Sequence, residues 1–298
     1  MKPDEISGLS SSHSASWLIL LTHLLAFWSL WPWYIQRLAD GGDAPWGLLS
    51  LITAVVFVIL EARNGTAAGT NSTQGISLIS AVTGRSGWPI NLIWSAGLTL
   101  LYAASYVWLP PLARACLTVT ALTATVSVCF LHRRFHAGIW GLLLLSLPIM
   151  ESLQFFAGYP LRTVVTMLAA ALLSLSGLAV APQGAALGWG NSLVAVDAPC
   201  SGIRMLWVGA YLVVALACLY RFGFVRLLVG ATLSLAVLVL GNALRATALF
   251  YLEVGIIPAM GAAHTLIGIV VFALTIAAII AVLEFLRRNV KCVSLWSF

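Results

Sequence analysis

Three side chains able to carry out acyl transfer, Cys200, Arg245 and His264, each stand at or near one end of a long apolar stretch. Cys200 lies in the polar passage Val194 to Met205. Pro199 and Ser201 are helix-start residues and Ile203 to Tyr220 is almost continuously apolar, which predicts the thiol in the first turn or at the cap of a helix. Unpaired N–H groups and the positive end of the helix dipole stabilise a thiolate there. The matching chemistry proceeds through a thioester. Cys200 attacks a peptide carbonyl, His264 holds the thiol as thiolate and protonates the leaving amine, and Arg245 stabilises the oxyanion or orients the substrate. Asn242 precedes Arg245 by three residues and shares its helix face, where its amide fixes the guanidinium or lines the site. Gly268 lies one turn beyond His264 and permits close helix approach. Asp197 is placed either to orient His264 or to pair with Arg204, and Arg204 either raises the local positive potential or binds a substrate carboxylate. Taken singly, each has an ordinary alternative: an arginine snorkelling to headgroups, an interfacial histidine bonded to a carbonyl, a cysteine packed as a small hydrophobe.

The chain that positions these groups is built for a membrane. Hydrophobic residues make up 61% of its 298 positions and charged ones only 8%, with a mean hydropathy of +1.02, which excludes a soluble globule with a charged surface. The net charge of +6 therefore orients helices and implies no nucleic acid partner. The five cysteines are scattered, with Cys116, Cys129 and Cys218 inside apolar spans, so neither a disulfide framework nor a metal-ligand spacing is visible, and no cofactor is expected.

Apolar runs near residues 17–36, 46–61, 90–109, 112–131, 137–157, 203–220, 226–251 and 264–286 predict about eight transmembrane helices, an all-α polytopic bundle. Arg133 and Arg134, Arg221 and Arg226, and Arg287, Arg288 and Lys291 belong in the cytoplasm. Residues 158–202 must then return to the side they left, which predicts a re-entrant or interfacial helix on the outer face over 161–180, after Pro160 and with Arg162 in its first turn. Both termini are cytoplasmic in this topology, and ten of the fifteen basic residues fall inside. Gly-punctuated residues 182–198 predict a small extended element or hairpin. His132, Arg133, Arg134 and His136 suit a metal or anion site on paper, but a cytoplasmic turn explains them better. Arg245 lies 19 residues above Arg226, roughly 28 Å at the helical rise, so it belongs at the outer interface, as do the start of the Cys200 helix and His264. Depth is common to the three groups; topology leaves their separation open.

The ordered set Cys200-Ser201-Gly202, Asn242-Ala-Leu-Arg245 and His264-Thr-Leu-Ile-Gly268, preceded by Pro160-Leu161 and Thr166, resembles the exosortase/archaeosortase family of membrane cysteine transpeptidases over roughly residues 158–275. The resemblance implies that Cys200, Arg245 and His264 form a catalytic triad in the inner membrane, open to the extracytoplasmic side. It also implies a secreted substrate protein whose C-terminal tail carries a short motif, a membrane span and a basic cluster, with the acceptor nucleophile open. Pro199 and Asp197 depart from the small residue before the cysteine and the upstream glutamate expected of the family. On this reading the chain is one membrane domain, with N-terminal spans over 1–157, a catalytic region over 158–286 and a cytoplasmic tail over 287–298. The competing class is a transporter or lipid-handling protein with Arg245, Glu253 and His264 along a polar pathway, but no internal repeat or paired broken helices support it.

Overall fold

The computed structural model describes residues 16–39, 44–69, 90–131, 135–196, 202–257 and 262–289. It divides into two units, one ending at Pro148 and the other beginning at Ile149.

In the first unit α1 (Ser16–Ala26) meets the stretch Trp28–Arg37 at a bend of 51°. That stretch is a 3-10 turn at Trp28–Leu30 leading into α2 (Trp31–Ala39), and α3 (Ala44–Gly69), α4 (Ile90–Ala104), α5 (Pro111–Cys129) and α6 (Ala137–Leu145) follow. Helices in lipid gain little from hydrophobic contact with one another, so small and polar residues do the joining. Ser95 of α4 is fully buried, and its hydroxyl lies 2.8 Å from both His23 Nε2 and Thr125 Oγ1, tying α1, α4 and α5 together. His136 is buried at the start of α6. Its Nδ1 accepts the Ile139 N–H at 3.2 Å and its Nε2 lies 3.6 Å from Glu61 Oε2, so it is a helix cap; His132, Arg133 and Arg134 lie outside the described residues.

The second unit holds α7 (Met150–Leu175), a three-stranded antiparallel sheet of β1 (Ala181–Gln183), β2 (Ala186–Trp189) and β3 (Ser192–Ala195), then α8 (Ile203–Leu219), α9 (Phe224–Glu253) and α10 (Ala263–Asn289). The β2–β3 turn is Gly190-Asn191, and Gly190 takes the φ of +57° that a two-residue hairpin requires. α9 packs against α7, α8 and α10, so it is the central helix of the unit. At one end of the unit the Arg287 guanidinium sits 5.0 Å over the Tyr220 ring, which brings the ends of α8 and α10 together with Arg221 and Arg226 close by in sequence. At the other end the inner face of the sheet closes a core of Val165, Leu173, Leu187, Ala246 and Phe250. Trp189 meets the Phe250 ring edge-on at 6.2 Å, and the Ser176 and Tyr251 hydroxyls are bonded at 2.5 Å.

Five described helices are long and apolar enough to cross a bilayer, or six with the bent pair as one; Ile93–Ala104 and Ile203–Leu219 are shorter apolar helices. The eight expected crossings are thus matched in part. Two boundaries are corrected. The run 137–157 is not one helix, because it breaks between Leu145 and Met150 around Pro148, which supplies no N–H and disfavours a helical conformation in the residue before it. The separate interfacial helix over 161–180 does not form either. Residues Met150–Leu175 make one helix of 26 residues, about 39 Å long, running through Pro160. Pro160 has no N–H to give to the Phe156 carbonyl, yet the helix continues through it; in the adjoining turn Arg162 Nε donates to Gly158 O at 3.3 Å and Thr163 Oγ1 to Tyr159 O at 3.1 Å. The expected extended element is present as the sheet.

Candidate active site

α9 organises the site by presenting two consecutive polar residues of one face to two different neighbours. Asn242 is buried at 3% exposure and faces α8; Arg245, one turn on, is half-buried and faces α10. Gly202 is the N-cap residue of α8, with a φ of +79° that L side chains rarely adopt. A methyl group placed on it would lie 2.6 Å from Asn242 Nδ2 and 2.9 Å from Cγ, so the glycine backbone rests directly on the amide. On the other side, a methyl on Gly268 would lie 3.7 Å from both Nε and Nη2 of Arg245. That is ordinary contact distance, so the guanidinium packs beside Gly268 of α10.

His264 is exposed on the first turn of α10, one turn above Gly268. It borders a cavity of about 510 Å³ together with Trp189 and Val194 of the sheet and Leu249, Phe250 and Glu253 of α9. Arg245 Nε is buried and makes no hydrogen bond among the described residues. A buried donor of a permanent cation without a partner is costly, which leaves this guanidinium with capacity for an anionic or carbonyl oxygen.

The structure thus joins Gly202 to Asn242 and Arg245 to Gly268, and sets His264 one turn from the latter contact. Arg204 is exposed on the first turn of α8. Asp197, Cys200 and Ser201 lie outside the described residues. The chain leaves the cavity wall at Val196 and is next described at Gly202 against Asn242, so the five intervening residues, Cys200 among them, connect these two parts of the site. Among the described residues no group of three His, Cys, Asp or Glu side chains is placed to hold a metal ion.

Sequence reasoning missed the cavity wall. Leu249, Phe250 and Glu253 follow Asn242 and Ala246 at helical spacing and so mark a single face of α9, a signal hidden by the apolar residues on its other faces.

The chain matches the model of a protein family described as transmembrane exosortase (Exosortase_EpsH) over residues 8–281. It belongs to the transmembrane exosortase family. No curated protein and no solved structure matches it. The exosortase match runs through both units of the fold, and it includes every residue discussed above for the site.

Proposed function

We propose that this exosortase is a membrane cysteine transpeptidase or protease that removes the C-terminal sorting signal of secreted proteins through a thioester on Cys200. The reading rests on one observation above all. Adjacent turns of α9 hold the glycine of the Cys200-Ser201-Gly202 run on one side and the glycine that follows His264 on the other. Two peptide units separate Cys200 from Gly202, a reach of at most about 7 Å, so the nucleophile is tethered to the helix that carries Arg245.

In the first half-reaction the Cys200 thiolate attacks the carbonyl carbon of the scissile peptide bond. The Arg245 guanidinium faces the oxygen on which negative charge develops. The C–N bond then breaks as the His264 imidazolium gives its proton to the departing amine, leaving the upstream protein on Cys200 as a thioester. In the second, His264 takes a proton from water or an acceptor amine, which attacks the thioester and releases the thiolate. Gly268 keeps the guanidinium lodged against α10, Asn242 supports the start of α8, and Ser201, Asp197 and Arg204 flank the nucleophile in sequence as supporting or substrate-binding groups.

The site faces the extracytoplasmic side of the inner membrane. α9 contains 30 residues, about 45 Å, while hydrocarbon occupies about 30 Å. With Arg226 at the cytoplasmic surface, Arg245 stands at the outer boundary and the last two turns, the sheet and the cavity project beyond it. A substrate whose membrane span lies beside the bundle then presents the residues just outside the lipid to this cavity. The reading is tested by the mass of a tailed secreted protein recovered from cells with and without the enzyme. A truncated C-terminus that depends on the enzyme supports it; identical masses for every tailed protein of the cell refute it.

A further inference from the structure

We infer that the free edge of β3 binds the substrate by strand addition, pairing with the extended segment immediately N-terminal to the scissile bond. This rests on the functional reading above and names how the substrate is held. Among the described residues β3 is an outer strand of the sheet, paired on one side only, with β2. Its hydrogen-bonding phase is set by the Val196 N–H, which donates to Ala185 O at 2.9 Å. Bonded and non-bonded pairs alternate along an antiparallel ladder, so Val194 opposite Leu187 and Ser192 opposite Trp189 also spend their backbone groups on β2. Leu193 and Ala195 therefore turn their N–H and C=O groups to the open edge, supplying two donors and two acceptors at the spacing an extended peptide needs.

Three further features choose the occupant. The edge borders the cavity: Ser192 through Val196 line it together with His264. The strand also leads toward the nucleophile, since Cys200 follows Ala195 by five residues. Finally, apolar side chains stand beside the edge. Trp189 and Val194, both partly exposed in the cavity lining, can receive alternate side chains of a bound strand, while Leu193, 64% exposed on the outer face, leaves its backbone accessible. Four residues of β3 span about 13 Å, which accommodates a segment of about four substrate residues. The segment following the scissile bond is committed to the membrane helix of the tail, so the preceding segment takes the edge.

The test uses the wild-type full-length enzyme in membranes and a secreted reporter fused to the tail of the substrate recovered by mass. Proline replaces, one at a time, each of the four residues before the cleaved bond, deleting single N–H donors. Strand pairing gives a period of two: processing falls about tenfold or more at alternate positions and stays within about threefold at their neighbours. Alanine at the sensitive positions leaves processing within about threefold, which separates the lost N–H from a lost side chain. On the enzyme side, Leu193→Pro lowers processing about tenfold at an unchanged melting midpoint, and Leu193→Ala does not. Equal tolerance of proline at all four positions, or equal loss at all four, would overturn the strand-addition proposal. Continued processing by Cys200→Ala would overturn the nucleophile assignment instead, and the proline pattern reads the β3 contact independently of it.

Discussion

Replacing Gly202 by alanine adds one carbon atom and perturbs the site at its narrowest contact. The backbone there has a φ of +79°, a left-handed conformation that costs an L residue roughly 1–2 kcal/mol. The new methyl would also lie 2.6 Å from Asn242 Nδ2 and 2.9 Å from its Cγ, closer than such atoms approach. Asn242 is 3% exposed and cannot swing into open space, so relieving the overlap shifts either the amide or the start of α8, at about 1–3 kcal/mol. A total near 3 kcal/mol corresponds to roughly a hundredfold loss of processing, at about 1.4 kcal/mol per tenfold. The assay is the processing rate of a tailed reporter in membranes at matched enzyme levels, run as a double-mutant cycle. In an Asn242→Ala background the overlap vanishes and Gly202→Ala costs only the backbone part, about tenfold. Gly202→Ala within about twofold of wild type would refute the reasoning, and so would an equal loss with and without the Asn242 side chain.

Other substitutions probe the remaining contacts. Gly268→Ala places its methyl at ordinary contact distance from Arg245 and retains processing within about threefold, whereas Gly268→Leu fills the space of the guanidinium and abolishes it; the same reporter assay distinguishes the two. His264→Ala slows processing at least about a hundredfold, as loss of an acid/base group does, without changing the melting midpoint, because the residue is exposed. Phe250→Ala removes a ring that is 1% exposed beneath the sheet and destabilises the second unit by about 3–5 kcal/mol, visible as a lower thermal midpoint of the protein in detergent.

Hydrophobic runs with charged ends reveal membrane helices directly, because a helix interior to lipid has no other way to satisfy its backbone; the elements around 46–61, 112–131, 226–251 and 264–286 were legible for that reason. The two prolines were not. Pro160 reads as a boundary in a soluble sequence yet sits inside α7, where Arg162 and Thr163 bond the neighbouring carbonyls, while Pro148 stands between two helices in an equally apolar run. Local composition does not separate these cases, since both prolines stand among similarly apolar residues. The hairpin was legible from its glycines, Gly190 above all. For the site, counting residues along their helices puts Arg245 and His264 at one level, and the structure sets Arg245 against Gly268, one turn from His264. Which faces meet did not, because apolar residues surround α9 almost completely and leave no moment to read. The contacts of Gly202 with Asn242 and of Gly268 with Arg245 needed coordinates.

The claim that matters most is that a thiol on the segment joined to α8 forms the covalent intermediate. Its most direct measurement is the mass of the Cys200 peptide from enzyme quenched while turning over a tailed reporter. The expected result is a hydroxylamine-sensitive adduct of the upstream substrate fragment on Cys200, lost together with all tail removal in Cys200→Ala. Tail removal that persists in that variant, or an adduct carried by another residue, would contradict the account.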